Sequence, residues 1–99
     1  MSEYMGLIRG LYEAKQEGFV PGGGSLHSCM VAHGPDTTTF EGASNAELVP
    51  TKLPDTMAFM FESTYMFSCT PYAQQQQIMD KEYYQCWQGL RSHFTPDKP

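Results

Sequence analysis

Ninety-nine residues, with eleven acidic side chains against six basic ones and a net charge of −5, make one small domain and no more. No cluster of lysines and arginines is present to neutralise phosphates, which argues against nucleic acid and against an anionic membrane surface as partners. No apolar run approaches the roughly 20 residues that cross a bilayer, while six Phe, six Tyr, one Trp and seven Met argue against a disordered chain.

Taken in order, residues 4–14 (YMGLIRGLYEA) read as a strand with apolar groups of both parities, as inside a packed sheet. Gly6 and Gly10 mark a bulge or bend in it. Residues 15–24 form a turn and a glycine loop, and 25–31 (SLHSCMV) a short strand that Gly34-Pro35 breaks. Thr39 could cap a short helix over 40–47. Residues 57–63 (MAFMFES) give the clearest strand, followed by a second strand over 64–70 that Pro71 limits, and then by a glutamine tract at 74–77. A helix is predicted over 80–92, capped by Asp80, with Met79, Tyr83, Cys86, Trp87 and Leu90 as one apolar stripe packed on the core. His93 would meet the C-terminal carbonyls of that helix. Residues 95–99 form a flexible tail.

The N-terminus lacks a basic region ahead of an apolar one, so it is not a secretory signal. Cys29, Cys69 and Cys86 show no CxxC spacing and read as free thiols in a reducing, cytoplasmic setting.

Glu3, His27 and His33 are the residues with metal-ligand chemistry. One carboxylate and two imidazoles could form a facial triad for non-haem Fe(II). Against that, His27 and His33 lie six residues apart, roughly 20 Å if the chain between them is extended. The alternative is a surface carboxylate and two loop histidines bonded to backbone. Gly22-Gly23-Gly24 lacks the lysine and the following helix of a phosphate cradle.

The residues carry more than their spacing. MSEYMGLIRGLYEAKQEGFVPGGGSLHSCMVAHGPD, TMAFMFES and YYQCWQGLRSHFTP, in that order from Met1 to about Pro96, resemble the active-site half of the homogentisate 1,2-dioxygenases. PGGGSLH also resembles a motif of the wider cupin superfamily. The resemblance implies a mainly β fold, part of a cupin-like or jelly-roll barrel with a C-terminal α-helix, and residues 1–99 as one portion of that catalytic domain. It implies an Fe(II)-dependent enzyme that uses O2 to open the ring of homogentisate, giving maleylacetoacetate in tyrosine and phenylalanine breakdown. A homo-oligomer built as a trimer-based hexamer is implied for the whole enzyme.

By the same resemblance Glu3 and His33 are iron ligands, His33 also lies against the substrate, and Tyr12 binds the substrate. His27 becomes a group behind the ligands that handles protons, not a ligand. The third ligand, a histidine, falls upstream of Met1, so the 99 residues alone should hold iron poorly and lack activity. A different reading is a non-catalytic cupin-like binding or interaction module. One geometric conflict remains: Glu3 and Tyr12 are nine residues apart with opposite parity, about 30 Å if extended. They can reach one pocket only if the chain bends between them, at Gly6 or Gly10.

Overall fold

A computed structural model of the chain describes residues 1–12, 19–53 and 55–96. The start of the predicted turn and glycine loop at 15–18, the end of the first strand at 13–14, Pro54 and the last three tail residues lie outside these.

β1 (Ser2–Arg9) is the centre of a three-stranded antiparallel sheet, flanked by β2 (Gly24–His27) and β3 (Met57–Ser63). The strand expected at 57–63 has those bounds. Among the described residues the sheet stays open, with β2 and β3 as its two edges. Side chains alternate across a strand, so one face of β1 carries Glu3, Met5 and Leu7 and the other Tyr4, Gly6 and Ile8. The first face is the packed one: Leu7 is 2% exposed, and it buries with Met5 and Phe19, with Tyr12 against them.

Between Leu7 and Arg9 the register against β3 slips, so that two steps on β1 match one on β3. This is a β-bulge, and one extra residue moves every later side chain to the other face. Gly10 then turns the chain with φ 83°, a conformation that disfavours any side chain. Bulge and turn together carry Tyr12 to the face that holds Glu3. Gly6, by contrast, stays in regular register opposite Phe59, so the bend falls at the second of the two expected glycines.

The glycine loop begins as a turn. Pro21 at its second position and Gly22, with φ 88°, at its third fit a type II turn, closed by the Gly23 amide donating to the Val20 carbonyl at 2.8 Å. The turn is fastened to β1 on both sides: the Leu7 amide donates to the Gly23 carbonyl and the Gly22 amide to that of Leu7. That fixes the register of β2, and with it what faces Glu3.

Several expectations are corrected. The strand at 25–31 ends at His27, because Met30 takes φ 69° and the Val31 amide turns back to the Ser28 carbonyl. The short helix is α1 (Thr37–Asn45), and Asp36 rather than Thr39 caps it, its Oδ1 accepting from the Thr39 amide at 2.7 Å. Among the described residues no strand follows β3. The Ser63 hydroxyl accepts from the Tyr65 amide, and Thr70 with Pro71 starts a single-turn helix, α2 (Pro71–Gln74). The helix predicted over 80–92 is instead a 3-10 segment, Tyr83–Trp87. Asp80 bonds the Glu82 amide two residues on, a local turn that competes with a helical cap, and the aromatic-rich run that follows is a modest helix former. His93 lies beyond that segment, against the ring of Phe40.

Candidate metal centre

Glu3 and His27 are directly opposed across the β1–β2 ladder, so their side chains share one face. The tight turn at Met30 then folds His33 back under His27. Their rings stack with centroids 4.1 Å apart and planes 11° from parallel. The 20 Å that an extended chain would put between them is therefore abolished, at a residue whose left-handed backbone no composition argument marks. The loop is tied down: the Cys29 amide donates to the buried hydroxyl of Ser2, next to Glu3, and the Trp87 indole donates to the Gly34 carbonyl at 2.9 Å.

One ligand atom from each of Glu3, His27 and His33 lies within 4.8 Å of the others. His27 Nδ1 is 3.5 Å from Glu3 Oε1, and His33 Nε2 is 3.4 Å from Glu3 Oε2. The two imidazoles are not equivalent. His33 Nδ1 lies 3.4 Å from the Val31 carbonyl, which can only accept; a proton held there leaves Nε2 as a lone pair on the side of the carboxylate. A lone pair facing a carboxylate oxygen is a site for a cation. Two donors each about 2.1 Å from one metal sit roughly 3 Å apart at a right angle, close to the spacing here. His27 has the opposite arrangement. Its Nε2 meets the Tyr83 hydroxyl at 3.1 Å, and its Nδ1 faces Glu3. An imidazole holds a metal through a lone pair in its ring plane, and two stacked, nearly parallel planes cannot both contain one ion. In this arrangement only one of the histidines can be a ligand to it.

The three groups line a cleft of about 270 Å³, together with Tyr12, Tyr83 and Trp87. That is near the lower end of the roughly 300–1,000 Å³ of small-molecule sites, room for a single-ring compound. Every site residue expected from the sequence, Glu3, Tyr12, His27 and His33, thus borders one cavity.

Tyr83, Cys86 and Trp87 were expected on the core side of a helix. They line the cleft instead, and none of the 3-10 segment is fully buried. Their i, i+3, i+4 spacing was the available signal; it marks a shared face but not what that face meets. Burial pushes the Tyr83 phenol above its ordinary range, partly offset by a hydrogen bond with Ser25. At neutral pH it is an O–H donor. Cys29, Cys69 and Cys86 form no disulfide.

One carboxylate and one imidazole able to face a single ion, at the lip of an apolar cleft, define a candidate metal site to which these residues bring two ligands. The family described as homogentisate 1,2-dioxygenase C-terminal matches residues 1–94, and the chain belongs to that family. It is 61% identical over 94 residues to a homogentisate 1,2-dioxygenase of Dictyostelium discoideum, which takes in 94% of the chain and 22% of the relative. It is 58% identical over 99 residues to that of Mus musculus, 98% of the chain and 22% of the relative. To that of Bradyrhizobium diazoefficiens it is 54% identical over 99 residues, 100% of the chain and 22% of the relative. The chain therefore spans about a fifth of the length of these curated relatives. No helix among the described residues is long and apolar enough to cross a membrane.

Proposed function

We propose that these residues are the iron-binding and substrate-facing part of a homogentisate 1,2-dioxygenase, within a cupin-like catalytic domain of a cytoplasmic homo-oligomer, a trimer-based hexamer. Glu3 and His33 are two of the Fe(II) ligands, and a histidine outside these 99 residues is the third. The observation that carries the reading is the approach of His33 Nε2 to Glu3 Oε2, an imidazole nitrogen and a carboxylate oxygen turned towards each other at 3.4 Å. That donor set suits Fe(II), which accepts both carboxylate and imidazole. Bound Fe(II) would supply open positions at which homogentisate and O2 meet.

The chain's own residues do the rest. Tyr12, at the cleft wall against Phe19, offers a hydroxyl to the polar groups of the substrate in an otherwise apolar pocket. His27, 12% exposed at its side chain, keeps a proton at Nδ1 beside Glu3 and can take or return one as the substrate is activated. Met5 and Phe19 close the floor of the cleft against water.

The test is a graft. The matching segment of the Dictyostelium relative is replaced by this chain, and oxygen uptake is measured with Fe(II) and homogentisate. Uptake near the level of the parent enzyme is expected, together with none from the isolated 99 residues. A graft that folds and binds iron yet consumes no oxygen would overturn the proposal, and so would robust uptake by the 99 residues alone.

A further inference from the structure

The Tyr83 hydroxyl lies 3.1 Å from His27 Nε2, and the two rings stack with centroids 6.0 Å apart. Trp87 closes on the same imidazole edge-on, at 6.3 Å, and packs on Tyr83 at 4.9 Å. The Ser25 side chain bonds to the same Tyr83 phenol. Two residues of the 3-10 segment therefore confine His27 on the sides away from His33.

From this we infer that Tyr83 is a positioning residue that sets which nitrogen of His27 carries the proton. The carboxylate of Glu3 can only accept, so the nitrogen facing it, Nδ1, is the protonated one. Nε2 is then a lone pair, and it needs a donor, which the Tyr83 O–H supplies. The result is an oriented imidazole: the Tyr83 hydroxyl donates to Nε2, and Nδ1 is held 3.5 Å from Glu3 Oε1, a charge contact rather than a hydrogen bond. Without the phenol proton, the imidazole can rotate or move its proton to Nε2, and a lone pair would then face the carboxylate. His27 would no longer present its proton beside Glu3.

This role rests on the function proposed above, in which His27 handles a proton next to the ligand Glu3. Its test is a double-mutant cycle of Tyr83→Phe and His27→Gln in the grafted holoenzyme. Tyr83→Phe removes only the hydroxyl. It should lower kcat by about tenfold, part of the roughly 100–10,000-fold that a positioned proton-transfer group contributes, and leave KM for homogentisate within about twofold. In the His27→Gln background the same change should cost less than about twofold, since residues acting through one another are not additive. A packing role for Tyr83 predicts equal losses in both backgrounds, and that result would overturn the inference.

The metal-free graft gives a second readout, independent of iron and of turnover. In the same cycle Tyr83→Phe should lower the melting temperature by a few degrees alone, and by less than about 1 °C once His27 is Gln. Additive shifts would sink the inference even if the graft is active. Coupled shifts in an inactive graft would support the pairing while telling against the dioxygenase proposal.

Discussion

The two faces of the sheet are built from the same three strands and differ in almost everything else. One carries Glu3, Met5 and Leu7 of β1, with Ser25 and His27 opposite them on β2. It is packed by Phe19 and overlaid by the loop of His33 and by the 3-10 segment. The other carries Tyr4 and Ile8, with Phe59 and Phe61 of β3, and leaves them open: Phe61 is 63% exposed. Those rings touch one another, Tyr4 with Phe59 at 6.1 Å and Phe59 with Phe61 at 5.5 Å, but nothing in the described residues covers them. Strand content is thus a poor guide to where this chain is organised. The long β1–β3 ladder supplies a wall, whereas the four-residue β2 ladder and its loop supply the site. What separates the faces is the set of long-range polar ties, from Cys29 to Ser2, Thr37 to Cys86 and Trp87 to Gly34, all of which lie around the site.

That contrast can be broken from either side. The largest effect is expected from Leu7→Ala, which empties the best-packed position under the cleft; the loss should be about 2–5 kcal/mol, read from denaturant midpoints of the graft. Glu3→Gln should cut iron retention by more than the roughly 10–100-fold that follows loss of an outer partner, measured as iron content after gel filtration. Trp87→Phe keeps the ring but removes the donor to Gly34, and should cost about 1 kcal/mol. Phe61→Ser, on the open face, should change the stability of the isolated chain by less than about 0.5 kcal/mol. A larger loss there would mean that the two faces are more alike than they look.

The smallest effect is one of alkaline pH. The folded phenol of Tyr83 titrates above the 10.0 of an unfolded tyrosine, so its contribution is whole below pH 10 and fades as pH climbs from there through the raised folded value. Thermal melts from pH 9 upwards should decline less steeply for Tyr83→Phe than for the parent.

Much of this was legible before any coordinates. Alternating apolar residues marked 57–63, the glycines at 22–24 marked a loop, and the parity conflict between Glu3 and Tyr12 called for a bend that the bulge and Gly10 provide. Three things were hidden, each for a physical reason. Spacing assumed an extended path from His27 to His33, and a single left-handed residue, Met30, cancels it. Helical spacing at 83, 86 and 87 identified a face, but that face looks into the cleft, because its neighbour is a loop and not a sheet. The same residues wind as a 3-10 turn since Asp80 spends its side chain on a local turn. The roles of the two histidines depend on what their second nitrogens meet, Val31 for one and Tyr83 for the other; the first contact needs the turn at Met30, and the second joins residues 56 positions apart.

The bond from Trp87 to Gly34 joins residues 53 positions apart, and Gly34 is the neighbour of His33. Contacts between distant residues wait on loop closure, so they form late. On a ribosome, which feeds the chain out from its N-terminus, Glu3 and both histidines emerge well before the tryptophan that holds their loop. The cleft is therefore among the last parts of this chain to be completed, and a protein stalled or clipped before residue 87 would display Glu3, His27 and His33 without the frame that aims them.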